Sequence, residues 1–250
     1  MICHHFEQAA ARVRRTSEVD CGAEDQVTSA QAPIFVDDEL LVLDKPAGML
    51  TVPGRGEDKA DCLWSRALRQ WPGARVVHRL DMATSGLVLF ARGAAMQRRL
   101  SMAFARREVL KNYEAIVTGL IDGDEGNIEL PLAADWPNRP RQQVDAQHGK
   151  ASLTSWRVLA RDEKAQRTHV ELTPHTGRTH QLRVHLAAIG HAIVGDALYA
   201  SPDVVAASPR LLLHATALGL QHPQSREALN WHSAAPFALG ASAAITMART

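Results

Sequence analysis

The residues of this chain best equipped for chemistry are an arginine and an aspartate two positions apart, Arg79 and Asp81. They stand in Val76-Val77-His78-Arg79-Leu80-Asp81-Met82-Ala83-Thr84-Ser85-Gly86-Leu87-Val88-Leu89-Phe90, where two apolar runs flank a polar connection. An ionised carboxylate at such a place can serve as nucleophile, general base or ion partner. The pattern predicts strand, loop, strand, with Asp81 where the first strand gives out. On a pleated strand Val77, Arg79 and Asp81 share a face, so cation and carboxylate look out together. Local pattern alone favours something plainer: a turn aspartate that pairs with Arg79 or caps through Thr84 and Ser85.

Two further groups invite chemistry. Tyr113 lies on an alternating segment, Lys111 to Leu120, and shares a side with Ala115 and Val117, where a tyrosine is usually a core or edge residue. Arg183 falls on a predicted helix, 179–189, about 100° from the stripe Leu182, Leu186 and Ile189, which lets it lean into a cleft at the edge of the core. The series His175, His180 and His185 suggests a metal site, but a spacing of five rotates successive residues by about 140° on a helix and to opposite faces of a strand. Neither geometry makes the one-face pair that a zinc helix needs.

The elements that must carry these residues follow from the hydrophobic periods. A hairpin is expected from Ile34-Phe35-Val36 and Leu40-Leu41-Val42-Leu43 about the turn 37–39, and a short helix over 61–70 ended by Pro72 and Gly73. Residues 93–106 place Met96, Leu100, Ala103 and Phe104 at helical spacing, with Arg98, Arg99 and Arg106 off that stripe. Arg107 rotates back onto the apolar face, so the helix ends there. A turn is expected at 122–126, an irregular loop at Asp135-Trp136-Pro137-Asn138-Arg139-Pro140-Arg141, strands at 151–160, 167–173, 192–194 and 211–218, and a terminal helix over 237–248. Residues 1–32 show no period and read as a flexible extension, leaving 33–250 as the folded domain. Strands that follow one another directly point to an α+β fold: a mixed, mostly antiparallel sheet with flanking helices and a cleft.

Composition excludes several classes. No apolar run approaches the roughly 20 residues of a membrane-spanning helix. Arg12, Arg14 and Arg15 precede no secretory signal, and Glu18, Asp20, Glu24 and Asp25 argue against a transit peptide, so a cytoplasmic protein without membrane partners is expected. The three cysteines, Cys3, Cys21 and Cys62, are too scattered for a disulfide framework or zinc knuckle. GxGxxG, Walker A and GxSxG sequences are missing, so no cofactor is implied. The net charge of +1 hides an uneven spread: 98–111 holds Arg98, Arg99, Arg106, Arg107 and Lys111 against Glu108 alone. A nearly neutral protein can still line a cleft with cations.

Three strings then stand out together: His78-Arg79-Leu80-Asp81-Met82-Ala83-Thr84-Ser85-Gly86, Lys111-Asn112-Tyr113-Glu114-Ala115, and His175-Thr176-Gly177-Arg178-Thr179-His180-Gln181-Leu182-Arg183-Val184-His185. In this order they resemble the catalytic motifs of the RluA-type pseudouridine synthases. The likeness continues through Asp44-Lys45-Pro46-Ala47-Gly48, Val52-Pro53-Gly54-Arg55, Gly195-Asp196-Ala197-Leu198-Tyr199 and Leu213-His214-Ala215, covering about 33 to 236. The loop 135–140 and Met82-Ala83 look most like the dual-specificity RluA subgroup, which acts on tRNA at position 32 of the anticodon loop and on large-subunit ribosomal RNA. Many relatives begin with an S4 RNA-binding domain, for which residues 1–32 are too short.

The resemblance implies that Asp81 is the nucleophile, Arg183 its ion partner, and Tyr113 the residue that lies against the uracil and helps remove the C5 proton. It leaves open whether the carboxylate adds to C6 of the base or captures C1′ of the ribose. The target uridine would be flipped into the pocket. Arg79 would fill the vacated stack or grip the backbone, and Arg98, Arg99, Arg106, Arg139, Arg141 and Arg178 are the expected RNA contacts. A monomer using no cofactor or metal is expected. The competing readings are a non-catalytic RNA-binding protein of the same fold and a metal-dependent hydrolase built on the histidines.

Overall fold

A computed structural model describes residues 32–56 and 59–240. All but the last residue of the extension expected over 1–32, and most of the terminal helix expected over 237–248, lie outside these residues. The elements in order are β1 (Phe35–Val36), β2 (Leu40–Lys45), α1 (Leu63–Gln70), β3 (Ala74–Val76), β4 (Ser85–Arg92), α2 (Ala94–Ala105), β5 (Leu110–Thr118) and β6 (Glu125–Glu129). There follow β7 (Leu132–Ala134), β8 (Gln142–Val144), β9 (Leu153–Asp162), β10 (Arg167–Pro174), α3 (Gln181–Ala188), α4 (Pro202–Ala206), β11 (Leu213–Gln221) and β12 (Ala228–His232).

The principal sheet has ten strands, ordered β1-β2-β4-β11-β5-β10-β9-β6, with β12 on β11 and β3 on β4; β7 and β8 form a separate hairpin. Among the described residues β4 and β11 make the one parallel pair, so the mixed, mostly antiparallel α+β sheet stands as expected. Strand β4 is apolar without alternation because both its faces are covered. Leu87, Leu89 and Ala91 pack with Met96 and Leu100 of α2, whereas Val88 and Phe90 pack with Leu63 and Ala67 of α1. A further core joins Ala115 and Val117 of β5, Val170 and Leu172 of β10, and Leu182 and Leu186 of α3.

The edge of β4 opposite β2 is divided between two partners. Strand β11 pairs with Ser85 and Gly86, and β3 pairs with Phe90 to Arg92. The chain leaving β3 must therefore turn out of the sheet between them, and that excursion carries Asp81. The predicted first strand accordingly ends at Val76, so His78, Arg79 and Asp81 lie on a loop. Side chains replace the missing ladder. The ring Nε2 of His78 accepts the amide of Leu89, and Thr51 Oγ1 both accepts the amide of Leu80 and donates to its carbonyl. Lys45, fully buried, donates to the carbonyls of Pro46, Met49 and Met82.

Other expectations shift in detail. Ile189 is 37% exposed rather than core, because α3 ends at Ala188 and Gly190 turns the chain at φ +87°. Residues 192–194 make only a bridge, Val117 with Ile193, and the turn expected over 122–126 gives way to β6 at Glu125. No helix among the described residues is long and apolar enough to cross a membrane.

Candidate active site

The loop from β3 to β4, the start of β5 and the approach to α3 enclose an open cavity of about 540 Å³. Asp81, Tyr113 and Arg183 all line it, although they come from three separate parts of the chain. Arg183 arrives from the first turn of α3 with its side chain 5% exposed. A buried guanidinium requires carboxylate partners, and it has two. Its Nε and Nη2 grip Asp196 in a fork at 2.8 and 2.6 Å, while Nη1 stands 3.5 Å from Asp81 Oδ2. Thus the expected ion partner of Asp81 is anchored mainly to another acid, and approaches Asp81 with its remaining amino group.

Asp196 is itself locked, its Oδ1 also accepting the amides of Leu198 and Tyr199 at 3.0 and 3.2 Å. The neighbouring Gly195 adopts φ +77° with its α-carbon against the carbonyl of Arg210, where any side chain would collide with backbone. The sequence offered Asp196 only within the string Gly195-Asp196-Ala197-Leu198-Tyr199, and nothing in that string marks it as the partner of Arg183.

His180 also approaches Asp81. Its Nε2 is 3.8 Å from Asp81 Oδ2, and its Nδ1 is 2.7 Å from the hydroxyl of Tyr199. Burial lowers the pKa of this imidazole. The segment before α3 is held by Gln181, whose Oε1 accepts from Thr176 Oγ1 and from the amide of Arg178, and whose Nε2 donates to Leu153 and Thr154. Burial pushes the Tyr113 phenol well above its usual range, and Asp81 adds to the shift, so at neutral pH this group is a hydroxyl. Burial also brings Lys45 down to about 8. On the far wall His78 stacks on Phe104 with centroids 4.6 Å apart, and Lys111 lies over the same ring.

The arginines expected to meet RNA separate into groups. Arg79 and Arg178 line the cavity, joined by Arg107, which the sequence reading assigned only to a helix end. Arg98 and Arg99 on α2 and Arg106 just past its end are exposed and do not line it; Arg99 and Arg106 face a second hollow of about 510 Å³ beside Arg226 and Glu108. Helix α2 turns its Met96 and Leu100 face inward, and this directs those arginines elsewhere. Arg139 stacks on Trp136 at 3.4 Å and Arg141 sits over the Tyr199 ring at 5.5 Å, both on the loop of the β7–β8 hairpin. The histidine series diverges: His175 bonds Ser155, His180 meets Tyr199, and His185 meets Ser152 and Thr154. Among the described residues no cluster of three or more histidine, cysteine or acidic side chains is placed to hold a metal.

Comparison with known proteins gives consistent results. The family model described as RNA pseudouridylate synthase matches residues 39–188. The dual-specificity RNA pseudouridine synthase RluA of Vibrio cholerae is 48% identical over 192 residues, spanning 77% of this chain and 78% of the relative. The protein of the same name from Escherichia coli strain K12 is 46% identical over 206 residues, 82% of this chain and 93% of the relative. Among solved structures, human RNA Pseudouridylate Synthase Domain Containing 1 superposes with a TM-score of 0.71 at 28% identity, covering 86% of this chain and 88% of that one.

Proposed function

Because this chain belongs to the RNA pseudouridylate synthase family and isomerises uridine to pseudouridine in RNA, we propose that Asp81 is its nucleophile and that tRNA and 23S ribosomal RNA are its substrates. The observation that supports the catalytic assignment is the meeting of Asp81, Tyr113 and Arg183 in one open cavity. The reaction breaks the N1–C1′ bond, rotates the uracil and joins C5 to C1′, releasing the C5 proton while N1 takes one up. A carboxylate assists by forming a transient covalent bond, whether to C6 or to C1′.

Arg183 holds the carboxylate in place with the amino group that Asp196 leaves free. Tyr113 forms a wall for the uracil, and its hydroxyl passes on the C5 proton as a neutral group, since a phenolate there would be both buried and beside a carboxylate. The base plane and C1′ are inaccessible in a stacked loop, so the target uridine must leave its stack to enter the cavity. Arg79, Arg107 and Arg178 then face the phosphates on either side, and Arg139 and Arg141 reach RNA further out on their hairpin. The dual substrate, with tRNA position 32 as its anticodon-loop target, is supported by relatives named for dual specificity and by the 135–140 loop. We place the protein in the cytoplasm, acting as a monomer.

The test uses tRNA and ribosomal RNA transcripts tritiated at uracil C5. The purified protein is expected to release tritium to water from both, and Asp81→Asn from neither. Full activity of Asp81→Asn would remove the assigned nucleophile, and release from one RNA class alone would remove dual specificity.

A further inference from the structure

The hydroxyl of Tyr199 accepts the backbone amide of Gln142 at 2.8 Å, a contact in which Gln142 is necessarily the donor. The phenol keeps its own proton, and the 2.7 Å contact with His180 Nδ1 gives that proton an acceptor. The reverse arrangement, with Nδ1 protonated, would strand the phenolic proton and turn the Nε2 lone pair toward the Asp81 carboxylate 3.8 Å away. Both consequences are unfavourable, so the imidazole carries its proton on Nε2 and presents an N–H to Asp81.

The closest approaches of His180 and Arg183 to Asp81 are to the same oxygen, Oδ2. Resting on the reading of Asp81 as nucleophile, we propose that His180 is a positioning residue: with its tautomer set by Tyr199, it joins Arg183 in drawing Oδ2 and leaves Oδ1 unencumbered for the substrate. At 3.8 Å the contact is longer than a hydrogen bond, as such contacts often are before substrate closes the site. Gln142 opens β8, whose hairpin loop carries Arg139 and Arg141, so the same chain of contacts ties that loop to the nucleophile.

The backbone supplies an independent observation. His180 precedes α3 at φ 54° and ψ 17° and makes no side-chain cap. A left-handed residue there is disfavoured relative to glycine, and asparagine tolerates the region better. The position thus carries a side chain chosen for something other than helix stability.

Three variants of the full-length protein test this. In His180→Asn the fold is retained, with an unfolding midpoint at or above that of the parent, but kcat for tritium release falls about a hundredfold at unchanged KM, the order expected from an ångström of misplacement. His180→Gln, whose terminal amide reaches the place of Nε2, recovers about tenfold of that loss. Tyr199→Phe lowers kcat about tenfold, and long-range 1H–15N correlation spectra show His180 changing from a single Nε2–H form to a mixture. Parental kcat in His180→Asn, losses confined to KM, or an Nδ1–H form in the parent would each overturn the proposal. Activity surviving in Asp81→Asn would instead overturn the reading on which it rests.

Discussion

Arg183 answers two carboxylates with one planar group, which is why lysine is a poor substitute. A lysine keeps the charge but has one nitrogen where the guanidinium uses three. Arg183→Lys is expected to lower kcat about a hundredfold while RNA affinity changes by less than about threefold, as befits a group that positions the Asp81 carboxylate. Single-turnover rates and filter binding check the two halves; a loss confined to binding would contradict the positioning role. A second residue-scale consequence concerns His78, which burial drives down to about 3 from an ordinary value of 6.5, Lys111 adding a smaller push. Its neutral Nε2 accepts the Leu89 amide, so protonation costs both burial and a hydrogen bond. Because the folded value lies below the unfolded one, the unfolded chain binds the extra proton between about pH 3 and 6.5. Stability is therefore complete above pH 6.5 and declines as pH falls through that window. Urea midpoints across it should fall for the parent and fall less steeply for His78→Gln, which keeps an acceptor and does not titrate. His180, His185 and His214 are lowered by burial too and act with the same sign.

At the level of elements, the site depends on where β4 meets β11. Gly86 has φ +113°, and a β-carbon there would stand 2.4 Å from the carbonyl oxygen of Ala215. Only glycine lets the two strands begin their parallel pairing at Ser85 and Gly86, directly after the loop that carries Asp81. Gly86→Ala is expected to destabilise the fold by about 3 kcal/mol or more, combining a forbidden backbone region with a main-chain clash. Denaturant unfolding measures the cost, and tritium release should drop with it even under conditions where the variant stays folded. The junction is braced by a run of side chains: Arg210 donates to Ser85, Ser85 meets His214, His214 meets Ser233, and Ser233 donates to Asp44 of β2. Burial lowers the His214 pKa, so a neutral imidazole links the Arg210 guanidinium at one end of the run to the Asp44 carboxylate at the other.

For the whole molecule, binding RNA with a net charge of only +1 requires that cations gather at the cleft. If Arg139 and Arg178 each neutralise a phosphate, Arg139→Ala and Arg178→Ala should each flatten the plot of log affinity against log salt by about 0.7, the single-strand increment. An unchanged slope in either variant would remove that arginine from the RNA contacts. Much of this architecture was legible in the chain itself. The unbroken apolar run of β4 and the stripe of α2 follow from local pattern, because burial acts on near neighbours, whereas β5 buries Ala115, Ile116 and Val117 in succession instead of alternating. The side chains that meet in the cavity, Asp81, Tyr113 and Arg183, were likewise visible in their motifs. Local period could not say that the strand before Asp81 stops at Val76, since that depends on β11 and β3 sharing one edge of β4. Nor could it pair Arg183 with Asp196, or aim His180 through Tyr199 and Gln142. Those contacts join residues 13, 19 and 57 positions apart, beyond the reach of a local period, and only the tertiary packing of α3, the turn after it and the β7–β8 hairpin brings them within bonding distance.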